Sequence, residues 1–375
     1  MGAQRLRRRL TRQLVAEGVL HEKRWIDAFA AVPRHVFLPR FFVPENGTWS
    51  AVERADPGWL ERVYSRDVLV TQLDDTPAKW LQAREFGPVT GVPTSSSSMP
   101  GIMAIMLEEL LVRDGDRVLE IGTGTGYNAG LLSHRCGSGQ VSTVDIDADL
   151  VDAARERLAE CGYAPACAAG DGALGFPAGI VFDRILCTAA VSTIPLAWLE
   201  QTVPGGHIVT TLNRPLGGGL VRLTVGPDAT AEGRVCARDG RFMPLRAHRL
   251  PPPIELPEPT SWRPTRLTMA TLVKPHRRFE FFASLELPGA HPLRLPGDGF
   301  ALAHPDGSWA RTRNVDSGTE VAQGGPRALW DLAERAYARW ETLGKPDRSR
   351  FGLTVHQDRQ TWWLDQPESA LNWPL

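Results

Sequence analysis

The sequence predicts an α/β protein: a doubly wound, mostly parallel sheet with helices before it and a smaller α+β domain after it. Three observations carry this expectation. Between residues 118 and 212, short apolar strands alternate with segments of helical period, the pattern of βαβ units. The first of those strands runs into closely spaced glycines. A proline-rich stretch at 251–259 then gives way to a tail that holds seven of the twelve tryptophans.

The most informative segment is Val118-Leu119-Glu120-Ile121-Gly122-Thr123-Gly124-Thr125-Gly126-Tyr127. Alternate glycines let a backbone turn sharply and approach a ligand with no Cβ in the way. Tyr127 stands where a dinucleotide fingerprint needs its third glycine, and no lysine follows as a P-loop requires. Glu120 suits a ligand with an ammonium group, and S-adenosylmethionine fits that description. A tight strand-to-helix turn without a ligand is the competing reading.

Later loops favour the ligand. Val141–Asp145 reads as a second strand ending in a carboxylate placed to grip ribose hydroxyls, with Ile146 next in sequence. Residues 147–162 carry Leu150, Val151, Ala154 and Leu158 at helical spacing, with Asp147 or Asp149 as cap. Gly170-Asp171-Gly172 follows a short strand, and Asp171 is placed to accept from an adenine amino group; an ordinary turn is the alternative. Residues 182–189 read as the next buried strand. A helix over 196–203 should be stopped by Pro204-Gly205-Gly206, and 208–212 is a further strand. The expected cofactor-binding set is therefore Glu120, Gly122, Thr123, Gly124, Gly126, Tyr127, Asp145, Ile146, Asp171 and Gly172.

With these segments the chain resembles the protein-L-isoaspartate O-methyltransferases. The resemblance rests on Ala28–Phe37 with its Val32-Pro33-Arg34 turn, on Thr94–Pro100, on Val118–Tyr127, on Phe182–Ala190 with Ile194-Pro195, and on Val203–Gly206 and Arg241–Leu245. It spans roughly residues 1–250. It implies a Rossmann-like class I methyltransferase sheet with a helical extension over 1–90, a core over 91–250, and a C-terminal domain over 251–375. It implies S-adenosylmethionine as methyl donor, S-adenosylhomocysteine as product, and no metal. A carboxylate is already ionised near neutral pH, so the enzyme has mainly to hold it in line with the methyl. Ser98 corresponds to the serine of a Ser-x-Pro loop that orients the substrate carboxylate, and Thr188 and Ala189 correspond to the strand edge that binds peptide. Composition alone would make the four serines a polar linker.

The chain departs from the family in Gly101, in the uniform run Ser95–Ser98, and in the residues beyond Arg246. In the tail, 278–283 and 352–355 read as strands, 326–343 as a helix, and 358–360 as a hairpin turn into 361–364. The tryptophans suit a core or a peptide-binding face. This tail, Arg350–Val355 and Trp362–Asp365 are similar to relatives encoded with ribosomally made peptides, the lanthipeptide and graspetide pathways. That implies esterification of an ordinary aspartate in a precursor peptide, cyclised or not, followed by closure to an aspartimide. Protein repair at isoaspartate is the alternative, and a cofactor-binding scaffold that presents peptide to another enzyme is a reading from another class.

Composition bounds the rest. Forty-two Lys and Arg against 43 Asp and Glu give a net charge of −1, which shows no footprint for nucleic acid. The arginines of 5–12 are spaced as the solvated face of an amphipathic helix on Leu6, Leu10 and Leu14. No apolar run is long enough to span a membrane, and a cytoplasmic enzyme is expected. Five cysteines without Cys-x-x-Cys spacing, and nine scattered histidines, suggest no metal site.

Overall fold

The computed structural model describes residues 2–177, 179–249, 256–273, 279–295 and 299–375. The chain forms two compact units: residues 1–189, 194–210 and 222–231 make the first, and 190–193, 211–221 and 232–375 the second.

The first unit opens with α1 (Ala3–Ala16) and α2 (Lys23–Ala31). Leu6, Leu10 and Leu14 are buried while Arg5, Arg8, Arg9 and Arg12 stay exposed, as the helical spacing requires. Next come β1 (Arg40–Glu45), β2 (Thr48–Glu53), α3 (Trp59–Val63), β3 (Leu69–Leu73), α4 (Ala78–Phe86) and β4 (Pro93–Ser97). The four strands form an antiparallel sheet in the order β2-β1-β3-β4. A purely helical extension over 1–90 is thus corrected. Every residue of β2 is half-buried and β3 is buried on both faces, so neither shows the two-residue alternation that marks a strand. Ser95–Ser97 likewise lie in β4 rather than in a loop, paired to Gln72, Val70 and Leu69; only Ser98 and Met99 link β4 to α5 (Pro100–Glu109).

The core follows as β5 (Val118–Ile121), α6 (Tyr127–Cys136), β6 (Val141–Asp145), α7 (Ala148–Glu160), β7 (Ala166–Ala169), β8 (Phe182–Val191) and α8 (Leu196–Glu200). Asp147 caps α7, accepting from the amides of Asp149 and Leu150. Strands β8, β5, β6 and β7 lie side by side and parallel. Leu119, Ile121, Val144, Ile185 and Leu186 are fully buried, which is why these strands read as apolar runs. Strand order reverses between β5 and β8. A doubly wound sheet binds ligands at such a point, beyond the carboxyl ends of its strands.

Strands β9 (Thr202–Asn213), β10 (Gly218–Val225) and β11 (Ala231–Val235) contribute residues to both units. Pro204-Gly205-Gly206 do not stop a helix, because α8 has ended at Glu200 and these residues lie inside β9. Gly205, exposed at φ +83°, lets the strand bend where other residues would be strained.

The second unit contains β12 (Arg263–Thr265), α9 (Met269–Val273), α10 (Phe279–Glu286), β13 (His291–Arg294), β14 (Phe300–Ala303), β15 (Trp309–Val315), β16 (Gly318–Gly324), α11 (Leu329–Thr342), β17 (Phe351–Val355), β18 (Gln360–Leu364) and β19 (Asn372–Pro374). One antiparallel sheet runs β12-β16-β15-β14-β13, and β17, β18 and β19 pair in turn, joined by the expected hairpin. The strand expected at 278–283 is a helix, with Arg278 outside the described residues. All of Phe279–Leu285 are buried, so no polar face betrays the helical period. Phe281 meets Phe351 and Trp362, Phe282 meets Phe351 and Trp373, and Phe279 meets Tyr337 and Trp340. Most tail tryptophans are accordingly core. Pro251–Pro253 lie outside the described residues.

Candidate active site

The glycine loop after β5 is shaped by its backbone. Gly122, Gly124 and Gly126 have φ of +98°, +49° and +86°, a region costly for residues with a Cβ. A Cβ on Gly122 would stand 2.9 Å from Thr188 Oγ1, and one on Gly126 3.0 Å from the Ala154 Cβ. The loop is also tied to β6. The amides of Gly122 and Thr123 donate to Val144 O, and Gly124 N donates to Asp145 Oδ2 at 2.9 Å.

Asp145 ends β6 beside this loop, half-buried, and burial pushes its carboxyl above the ordinary aspartate range. Ile146, next to it, is 44% exposed, an apolar surface beside a polar loop. Asp171 accepts from Ala173 N at 2.9 Å and so caps the short turn Gly172–Leu174, while Gly172 O accepts from the Trp198 indole at 2.7 Å. The turn reading of Asp171 is therefore realised.

Two expected ligand contacts are placed elsewhere. Glu120 is fully buried: Asn128 Nδ2 donates to Oε1 and Thr143 Oγ1 to Oε2, each at 2.8 Å. Thr143 Oγ1 is also 2.7 Å from Thr123 Oγ1, so the carboxyl anchors a polar network beneath the loop instead of opening toward an ammonium group. Burial, and more weakly the nearby Asp145, push it up to about 7 against its two donors. The Tyr127 ring is buried between Phe29 and Phe37, and burial holds its phenol above the usual range.

Thr188 Oγ1 donates to Gly122 O at 2.9 Å and Ile121 O at 3.2 Å, fastening β8 to the loop across the point where strand order reverses. Thr188 and Ala189 are both half-buried at that edge. The serine strand borders the same loop. A Cβ on Gly124 would lie 3.7 Å from Ser96 O and 3.8 Å from Ser95 Oγ. Thr71 Oγ1 donates to Ser95 Oγ, and Gln72 Nε2 donates to Asp147 at 2.9 Å, which moors β3 and β4 to the start of α7. Ser98 is half-buried and Met99 47% exposed at the end of β4. The sequence gives no sign of Gln72, because its partner stands 75 positions away.

Among the described residues no group of three His, Cys, Asp or Glu side chains is arranged to hold a metal, and no helix is long and apolar enough to cross a membrane. Cys187 and Cys236 are buried and the other three cysteines half-buried; burial pushes the Cys187 thiol up to about 12.

A parallel sheet that reverses beside a glycine-bent loop, with an acid ending the next strand, defines a methyltransferase of the Rossmann-like class. The model of the protein-L-isoaspartate (D-aspartate) O-methyltransferase family matches residues 87–245. The protein-L-isoaspartate O-methyltransferase of Methylorubrum extorquens is 36% identical over 212 residues, covering 56% of this chain and 75% of the relative. That of Ignicoccus hospitalis is 33% identical, covering 54% and 80%. The chain belongs to this family of S-adenosylmethionine-dependent carboxyl methyltransferases. A solved structure of a protein-L-isoaspartate O-methyltransferase is similar in fold, with a TM-score of 0.54 at 21% identity, over 96% of this chain and all of its own. That likeness in fold extends past Arg246.

Proposed function

We propose that the protein esterifies a side-chain carboxylate of a peptide, with isoaspartyl residues as the substrate its relatives favour. The observation that carries this is the meeting of β4 with the cofactor loop: Ser95 and Ser96 lie against Gly124, and Ser98 follows at the strand end. When bound, S-adenosylmethionine supplies a sulfonium methyl that a carboxylate oxygen takes, leaving S-adenosylhomocysteine and a neutral ester. The loop fits this nucleoside: its glycines carry no side chain to keep a ligand at a distance, Asp145 takes the ribose hydroxyls, and Ile146 offers a face to the base. Asp171 and Gly172 shape the base end through the turn they form. Glu120, Thr123 and Tyr127 support the loop from beneath. Ser98 orients the carboxylate, while Thr188 and Ala189 form the edge along which the peptide lies. Near neutral pH the nucleophile is ionised, so these residues contribute position more than proton transfer.

A second reading, esterification of an ordinary aspartate in a macrocyclic ribosomally made peptide with closure to an aspartimide, is supported by Gly101. A Cβ there would meet nothing within 4 Å, so this position, three residues after Ser98, stands beside open space. The two are separated by mass spectrometry of an isoaspartyl peptide and a macrocyclic aspartyl peptide, each incubated with enzyme and S-adenosylmethionine. Methylation of the first supports repair. Methylation of the second alone, followed by loss of methanol, supports peptide maturation. Methyl loss from the cofactor without either peptide overturns both.

A further inference from the structure

We propose that Arg34 is a positioning residue that holds the Ser97–Ser98 strand end in its working place beside the cofactor loop, an inference that rests on the role given to Ser98 above. Arg34 is fully buried. Its Nη1 donates to Val63 O at 2.8 Å and Ser65 O at 3.2 Å. Its Nη2 donates to Ser98 O at 3.1 Å, Ser97 Oγ at 3.3 Å and, at 3.5 Å, Asp67 O. Among the described residues these hydrogen-bond partners are four carbonyl oxygens and one hydroxyl, with no carboxylate among them.

A buried cation that spends its fork on backbone oxygens is expensive, and only Arg has the planar geometry to reach five at once. Three of them belong to the end of α3 and the segment after it, and two belong to the strand end that leads to Pro100. The guanidinium also stands 5.8 Å from the centroid of the Tyr127 ring, the first residue of the helix that follows the glycine loop. The turn that carries Arg34 is fixed on that helix too: a Cβ on Gly130 would meet Phe37 at 3.1 Å and Val32 at 3.3 Å. Arg34 therefore spans from the floor of the cofactor loop to the serine that faces substrate. Ser98 is held through its carbonyl, which leaves its hydroxyl free of this fork. A shift of the strand end would move that hydroxyl relative to the methyl and leave the glycine loop in place.

The test is Arg34→Lys, which keeps the charge and loses the fork, with Ser97→Ala as a milder variant that removes one acceptor. Each is read by peptide kcat/KM, by affinity for S-adenosylhomocysteine, and by hydrogen exchange of the amides of 96–99. The expected result for Arg34→Lys is a loss of about tenfold to a hundredfold in kcat/KM, with cofactor affinity within about twofold and faster exchange at 96–99. Ser97→Ala should move the same readouts the same way, less far. If Arg34→Lys is too unstable to purify, Ser97→Ala decides. Cofactor affinity falling in step with turnover, or exchange at 96–99 left unchanged, overturns the proposal. Failure of the functional reading is separate: the wild type would then methylate no peptide, and exchange alone would still decide the role of Arg34.

Discussion

Replacing Glu120 by Gln should remove a pH-dependent loss of stability. The carboxyl lies at zero exposure on β5, and burial raises it from an ordinary 4.5 to about 7 in the folded chain. Below pH 4.5 both folded and unfolded chains hold the proton. Between there and pH 7 the unfolded chain releases it and the folded chain keeps it. The folded state then binds more protons, so stability falls as pH rises through this window. Above pH 7 the loss is complete, at about 3 kcal/mol for a shift of this size. Gln is isosteric, and a buried Asn128 Oδ1 without a hydrogen-bond partner lies next to it to accept from the new amide once the Asn128 side chain flips. Urea unfolding of both proteins at pH 5 and pH 8 isolates the effect. The variant should gain on the wild type by about 2–3 kcal/mol between the two pH values. A constant difference would refute the reasoning and show that Glu120 keeps its charge throughout.

Three further outcomes follow from the geometry. Gly126→Ala, which forces a Cβ to φ +86° and to 3.0 Å from Ala154, should weaken S-adenosylhomocysteine binding about tenfold in calorimetry, in line with about 1–2 kcal/mol of backbone strain. Ser98→Ala should lower peptide methylation by about tenfold while cofactor affinity changes less than about twofold; equal losses in both would move Ser98 into the cofactor site. Gly352→Ala would drive a Cβ to 2.1 Å from the Trp363 ring and 2.6 Å from Gly233 O, so thermal unfolding should show a loss of about 2–3 kcal/mol or more.

Local signals made much of the site readable. Gly122, Gly124 and Gly126 do make the sharp turn their spacing suggested, through positive φ at all three, Asp145 ends a strand, and Asp147 caps α7. What escaped depends on partners far along the chain. Arg34 is recognisable in sequence only as part of a turn, because its oxygens come from residues 29 to 64 positions later. Glu120 reads as a ligand contact because nothing local shows that Asn128 and Thr143 will donate to it. Strand β4 is hidden because serines look like linker until β3 pairs with them. Helix α10 is hidden because aromatic neighbours enclose it on every side.

The central claim is that a methyl group reaches a carboxylate oxygen of a peptide. Enzyme, S-adenosylmethionine labelled in its methyl group and an isoaspartyl or macrocyclic aspartyl peptide would be incubated, and the peptide then treated with mild base. The account predicts label on the peptide that base releases as volatile methanol, because a methyl ester hydrolyses there. Label that survives base, or none on any peptide, would contradict it.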